Sequence, residues 1–225
     1  MADYNEGTVL LINKPYEWTS FDVVKKLRNV TRAKKVGHAG TLDPLATGLL
    51  IVCTGKFTKQ ISIIQDAEKE YTGTFFMGAT TPSADRETEV NHTFDITGLT
   101  NEAIYNTTKQ FTGTIMQVPP LHSAVKVDGE RAYKIARRGE EHKLNAKQIT
   151  IKEFEITDIS LPYIKFKVVC SKGTYIRSLA DDFGKALNNG AYLYDLCRTR
   201  IGTYLLADAM EMKDVQSLAP AKITE

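Results

Sequence analysis

The stretch "GHAGTLDPLATGLL" (Gly37–Leu50) sets one acid, Asp43, among Gly, Thr and Pro, with His38 five residues before it and apolar residues behind it. On local chemistry alone, an Asp-Pro turn whose side chain bonds nearby backbone accounts for Asp43. A lone carboxylate can also act as a covalent nucleophile if a cation keeps it ionised, and an opposite charge within a few ångströms lowers an Asp pKa by roughly 1–3 units. Arg177, in "SKGTYIRSLADD", is a candidate for that cation, although it could instead pair with Asp181, one helical turn on. No second acid lies near Asp43 in sequence, which argues against the paired carboxylates of glycoside hydrolysis. Tyr71 and Tyr175 are candidate stacking or proton-transfer groups, set against the commoner role of a core ring with a wet hydroxyl. His38 reads as a turn residue, but Gly37 and Gly40 on either side leave it little packing from sequence neighbours, which favours function.

Other chemistries fit less well. "TGKFT" (Thr54–Thr58) carries Gly-Lys but continues with Phe57 where a phosphate loop needs Ser or Thr, and Leu50 stands where its first Gly would be. The glycines around His38 lack a dinucleotide spacing, so nucleotide cofactors are disfavoured. Cys53, Cys170 and Cys197 form no C-x-x-C pair, and His38, His92, His122 and His142 lack metal-ligand spacing. Reduced, partly buried thiols in a cytosolic protein are expected. No apolar run reaches membrane-spanning length, and the N-terminus lacks a signal-peptide layout. The formal charge of +2 says nothing of partners, but the basic residues cluster. Lys25–Lys35 holds six and no acid, and Arg131–Gly139 holds four. Each run alone reads as a solvated helix face; together they point towards a polyanion.

These residues need elements to hold them. The 225 residues are 42% hydrophobic and 25% charged, enough to bury a sizeable core. "TVLLINKP" reads as a strand ended by Pro15. "TSFDVVKKLRNVT" reads as a helix capped by Thr19 or Ser20, with Val23, Val24, Leu27 and Val30 at helical spacing. "LLIVCTG" and "YTGTFFMGATT" read as strands, "PSADRETEV" as a polar loop, and Thr100 to Phe111 as a helix. "QITIKEFEITDIS" and "YIKFKVVCSKG" form a hairpin around Pro162, the second alternating Ile164, Phe166 and Val168 with lysines. "TYIRSLADDFGKALNNG" is the clearest helix, with Ile176, Leu179, Ala180, Phe183 and Leu187 as its stripe and Asn189–Gly190 as its stop. The pattern predicts an α+β fold with a mixed, mostly antiparallel sheet. Gln117–Gln148, basic and entered through Pro119–Pro120, reads as a semi-independent excursion that could fold over a ligand.

Six stretches occur in the order of one family: "NKPYEWTSFDVV", "AKKVGHAGTLDPLATGLLIVCTGKFTK", "KEYTGTFFMG", "QVPPLHSAVKVDGERAYKIARRG", "VVCSKGTYIRSLADDFGKAL" and "GAYLYDLCRTRIGTY". Over nearly its whole length the chain resembles the TruB-type tRNA pseudouridine synthases, most specifically in the second and fifth stretches. The resemblance implies conversion of uridine 55 in the TΨC loop of tRNA to pseudouridine, with no cofactor, metal or energy source. It implies Asp43 as nucleophile, Arg177 as its ion-pair partner, and Tyr71 stacked on the target base and able to move its proton. His38 would fill the place that the everted base leaves, Tyr175 and Leu196 would contact the base or its neighbours, and Lys14 and Arg198 would be further substrate-binding positions. The implied fold is a mostly antiparallel sheet flanked by helices, with Gln117–Gln148 as a thumb on the RNA. His122 and Cys197 depart from the family's usual Tyr and Arg. Many relatives carry a C-terminal RNA-binding PUA domain; about twenty residues follow Tyr204, so a single catalytic domain over residues 1–225 without it is expected. The expected partner is tRNA, with no membrane, no protein partner, a monomeric state and a cytoplasmic location. A non-catalytic RNA-binding module of the same fold, uridines in other stem-loops as targets, and a carbohydrate- or nucleotide-handling enzyme remain as alternatives.

Overall fold

The computed structural model describes residues 3–120 and 144–219, and between them only Lys126–Val127, Glu130–Arg131, Ile135 and Arg138. In chain order the strands are β1 (Val9–Lys14), β2 (Val36–Ala39), β3 (Ala46–Thr54), β4 (Lys69–Met77), β5 (Ala79–Thr80), β6 (His92–Thr93) and β7 (Gly113–Gln117). They continue with β8 (Lys126–Val127), β9 (Glu130–Arg131), β10 (Lys147–Ser160), β11 (Tyr163–Cys170), β12 (Ala191–Ile201), β13 (Tyr204–Leu205) and β14 (Met210–Glu211). The described helices are α1 (Ser20–Thr31), α2 (Ile61–Asp66), α3 (Asn101–Thr107) and α4 (Ile176–Ala186). The chain divides into two units, Met1–Tyr71 with Leu196–Glu225, and Thr72–Asp195.

In the first unit β1 runs antiparallel to β3, with Val9 opposite Cys53 and Lys14 opposite Gly48, and parallel to β14. β2 pairs antiparallel with the far end of β3, and the second half of β12 pairs parallel with its near end, Leu196 opposite Ala46. Helix α1 starts at Thr19, whose hydroxyl accepts from the Asp22 amide while the Asp22 carboxylate accepts from the Thr19 amide, a reciprocal cap. Its expected stripe, Val23, Val24, Leu27 and Val30, is buried against Ile12, Leu50, Val52 and Val215. Burial of such side chains stabilises by roughly 1.5–3 kcal/mol each, which makes α1 and β3 a firm wall for whatever lies between them.

In the second unit the first half of β12, then β4, β11, β10 and β7 are neighbours in that order. β10 and β11 form the expected antiparallel hairpin, Ser160 opposite Tyr163 and Phe154 opposite Val168. Ile164, Phe166 and Val168 are buried, as their alternation with lysines predicts. Helix α4 buries Ile176, Leu179, Ala180 and Phe183, while Leu187 sits half-buried at its cap. The core here is aromatic: the Phe75 and Phe166 rings stack at 4.2 Å, and Phe183 meets Phe154 at 5.5 Å. Parallel pairing at β1·β14 and β3·β12, with antiparallel pairing at β1·β3, β2·β3, β7·β10, β10·β11 and β12·β13, makes the mixed, mostly antiparallel α+β architecture that the sequence predicts. Most of the Gln117–Gln148 excursion lies outside the described residues. Its ends are paired, Gln117 opposite Lys147, and β8 pairs with β9 within it.

Candidate active site

Asp43 lies half-buried in the short loop between β2 and β3. The loop is held through its backbone. The Ser20 hydroxyl donates to the Leu42 carbonyl at 3.1 Å and accepts from the Leu42 amide at 2.9 Å. The Glu17 amide donates to the Pro44 carbonyl at 3.0 Å, and the Ala46 amide to the Asp43 carbonyl at 3.1 Å. Arg198 donates from Nη2 to the Gly40 carbonyl at 3.0 Å and from Nε to the Leu49 carbonyl at 2.8 Å. Lys14 donates to the carbonyls of Pro15 (2.9 Å), Trp18 (2.5 Å) and Pro44 (3.2 Å).

Lys14 and Arg198 are the two largest buried polar side chains here, 0% and 1% exposed. A buried ammonium is costly unless its donors are satisfied, and the three carbonyls match its three N–H groups. Both residues, expected on substrate, are turned onto the loop that carries Asp43. Burial lowers the Lys14 pKa to about 8; Asp43 and Asp22 pull it back up, and the like charge of Arg198 adds to the fall. The Asp43 carboxylate therefore has an attracting cation in its own unit, Lys14, which the sequence reading did not assign to it.

Gly48 makes the clamp sterically feasible. Its φ is +99°, a backbone region that favours glycine, and a Cβ there would lie 2.7 Å from the Arg198 amide nitrogen and against the Arg198 carbonyl. Only a bare backbone lets β12 approach β3 closely enough for Arg198 to reach across to Gly40.

His38 is not on an exposed turn. It lies in β2, opposite Val52, because the chain from Val36 to Ala39 completes the edge of β3 before it turns. Its Nδ1 is buried and has no hydrogen-bond partner among the described residues. Burial lowers its pKa from the ordinary histidine value and the Arg198 charge adds to this, against a smaller opposing effect of the Gly40 backbone; the balance favours the neutral imidazole. Tyr71, on β4, is buried at 9% exposure. Leu196 opens the parallel pairing with β3, and its carbonyl accepts from the Thr47 hydroxyl at 3.4 Å.

In the second unit Arg177 occupies the first turn of α4 and is 5% exposed. Its Nη1 donates to the Ser83 carbonyl at 3.1 Å, and its Nε lies 3.5 Å from the Asp85 carboxylate. Asp181 pairs with Lys185 at 2.6 Å, so the helical-turn pairing of Arg177 with Asp181 is not the one formed. Asp85 is the residue that sequence reasoning missed. The segment "PSADRETEV" looked like an exposed polar loop, yet Ser83 and Asp85 are buried. The loop satisfies itself: the Thr81 and Ser83 hydroxyls donate to the Asp85 carbonyl, and the Ser83 and Thr88 hydroxyls bond each other. Tyr175, half-buried, immediately precedes the first turn of α4 and makes no side-chain capping bond, and Gln117 bonds its backbone.

Along α1 the outward residues Lys25, Lys26, Arg28 and Arg32 are exposed. A cavity of about 360 Å³ opens there, lined by Glu17, Trp18, Asp22, Lys25, Lys26 and Asn29. No helix among the described residues is long and apolar enough to cross a membrane.

Comparison with known proteins supplies the context for this geometry. The tRNA pseudouridine synthase B of Flavobacterium johnsoniae is 56% identical over 217 residues, covering 93% of this chain and 95% of that protein. The tRNA pseudouridine synthase B of Parabacteroides distasonis is 48% identical over 229 residues, covering 99% and 97%. Among solved structures, a chain described as "Crystal Structure of a Cbf5-Nop10-Gar1 Complex" matches with a TM-score of 0.75 at 28% identity, over 96% of this chain. The present chain spans about half of that one, 55%. The family described as TruB family pseudouridylate synthase (N terminal domain) matches residues 28–176, and the chain belongs to the TruB family of pseudouridylate synthases.

Proposed function

We propose that the protein converts uridine 55 in the TΨC loop of tRNA to pseudouridine, with Asp43 as the nucleophile. The glycosidic carbon–nitrogen bond breaks, the uracil rotates, and a bond from a ring carbon to the same ribose carbon forms; that ring carbon loses its proton and the freed ring nitrogen takes one up, so no atom is gained or lost. Relatives named tRNA pseudouridine synthase B, matched over nearly their full length, support tRNA as the substrate. The observation that supports the role of Asp43 is the clamp on its loop: three buried side chains, Lys14, Ser20 and Arg198, converge on the backbone of Gly40–Leu49, which carries one half-buried carboxylate. A preorganised carboxylate needs no rearrangement when a uridine arrives, which is where fixed electrostatics contributes to rate.

A uridine inside a structured arm reaches a carboxylate only after leaving its stack, at a cost of a few kcal/mol. Tyr71 offers that base an aromatic face, and the neutral His38 ring is suited to replace it in the loop. Tyr175 and Leu196 contact the base or its neighbours. Lys14 and Arg198 act on the substrate by holding the Asp43 loop. Arg177 supplies the cation assigned to it from the resemblance. The exposed basic face of α1 contacts phosphates, so affinity falls with salt. The protein works as a cytoplasmic monomer without a cofactor.

An unmodified tRNA transcript incubated with the protein, followed by position-by-position mapping of pseudouridine, tests the reading. One modified site in the TΨC loop is expected; several sites in other stem-loops, or none, contradict it. Arg177→Met is expected to reduce turnover far more than tRNA affinity, and unchanged turnover removes Arg177 from the mechanism.

A further inference from the structure

Helix α4 begins without a cap of its own, because the Tyr175 side chain makes no capping hydrogen bond. The cap comes from another strand. Gln117, the last residue of β7 and 2% exposed, turns its side-chain amide onto the Tyr175 backbone. Its Nε2 donates to the Tyr175 carbonyl at 3.1 Å, and its Oε1 accepts from the Tyr175 amide at 2.8 Å. The amide therefore pairs with Tyr175 as a neighbouring strand would. One residue on, the Val118 carbonyl accepts from the Ser178 hydroxyl at 2.8 Å. Tyr175 and Ser178 bracket Arg177, so β7 is tied to the helix turn on either side of the guanidinium.

We propose that Gln117 is a positioning residue for the reaction: its two-point amide bond fixes Tyr175 and, through the first turn of α4, the direction of Arg177. This rests on the function proposed above. The buried amide both donates to and accepts from Tyr175, a pairing that needs a donor and an acceptor on one side-chain group. Glutamate keeps the acceptor but lacks the donor until it is protonated. Methionine fills the same space and lacks both.

The test uses the full chain, unmodified tRNA and three variants. Gln117→Met is expected to lower single-turnover rate about tenfold, the order of one or two lost hydrogen bonds, with tRNA affinity changed by less than about twofold. Ile164→Val, a cavity in the β11 core of the same unit, is the control for a purely structural loss and is expected to leave both within about twofold. Gln117→Glu supplies a rescue. Burial raises a carboxyl pKa, so lowering the pH from about 8 to about 6 should protonate the introduced group, restore its donor and raise turnover relative to the native protein. Native-like turnover in Gln117→Met, an equal loss in Ile164→Val, or a flat pH ratio for Gln117→Glu overturns the proposal. Should Gln117→Met not fold, the pH ratio of Gln117→Glu decides alone. A native protein that leaves tRNA unmodified refutes the proposed function instead. In that case hydrogen exchange of the Tyr175 amide, measured without RNA, still tests the bond: about tenfold faster exchange in Gln117→Met supports it, and an unchanged rate removes it.

Discussion

The loop that carries Asp43 and the helix turn that carries Arg177 hold a charged side chain by opposite means. Around Asp43 side chains grip the backbone: Lys14, Ser20 and Arg198 bond the carbonyls of Pro44, Leu42 and Gly40. Around Arg177 the contacts fall on the side chain itself, through the Ser83 carbonyl and the Asp85 carboxylate. A loop held by its backbone fixes the position from which a carboxylate reaches out, whatever its own oxygens bond. A guanidinium carries five N–H donors, so an anchored one can bond more than one group. The first arrangement suits a nucleophile, and the second suits a cation that stabilises charge.

Removing the proposed nucleophile should give the largest effect and leave the first arrangement standing. Asp43→Asn is expected to abolish pseudouridine formation, by about 10³-fold or more, with tRNA affinity and thermal stability close to native. A residual rate within tenfold of native would place the nucleophile elsewhere.

Breaking the second arrangement should reduce stability as well as rate. Asp85→Ala takes a buried negative charge from a buried guanidinium, and breaking such a pair costs about 3–5 kcal/mol. Denaturant unfolding should show that loss, and turnover should fall by about 10². Stability within 1 kcal/mol of native would mean that the 3.5 Å approach of Asp85 contributes little.

The two regions also differ in how well the sequence reports them. Asp43, Arg177 and Tyr71 stood out by residue type and by family motif, and the elements under them followed from periodicity: α1 from the valines at helical spacing, the β10–β11 hairpin from alternation. The holding groups did not stand out. The sequence offers Thr19 or Ser20 as the cap of α1; Thr19 takes that role, and the Ser20 hydroxyl turns inward to Leu42. Asp85 sits in a run of polar residues that carries no periodic signal, because its burial goes with hydroxyl bonds four and five residues apart, from Thr81 to the Asp85 carbonyl and between Ser83 and Thr88. His38 lies in a strand although the sequence suggests a turn, because β2 is short and one of its four residues is a glycine, a composition that local propensity assigns to a loop. Contacts made across the sheet, such as Arg198 on Gly40, have a sequence separation of 158 and leave no local trace.

A smaller effect distinguishes the backbone clamp by charge. The Lys14 pKa is about 8 in the folded protein, depressed by burial below its ordinary value of 10.5. Between those two values the unfolded chain binds the proton that the folded chain has released, so stability rises with pH across the window, by at most about 1.4 kcal/mol per unit. Below about 8 both states are protonated and the dependence vanishes. The stability of the native protein minus that of Lys14→Met should therefore be level up to about pH 8 and increase above it. A difference that is flat to pH 10 would mean that the three carbonyls hold the ammonium at its ordinary pKa.

Ser20→Ala should give the smallest change and shows most directly what the clamp does. The hydroxyl both donates to and accepts from Leu42, the residue before Asp43, so its loss unbalances two buried backbone groups while leaving every charge in place. Such a loss costs about 1–2 kcal/mol. If the clamp only stabilised the fold, turnover at a temperature where the variant is fully folded would match native. If it positions the carboxylate, turnover should fall by about three- to tenfold with tRNA affinity unchanged, because a small displacement of a nucleophile affects the transition state and leaves ground-state binding alone. Equal turnover in the folded variant would show that Lys14 and Arg198 suffice and that the Ser20 bond only stabilises the fold.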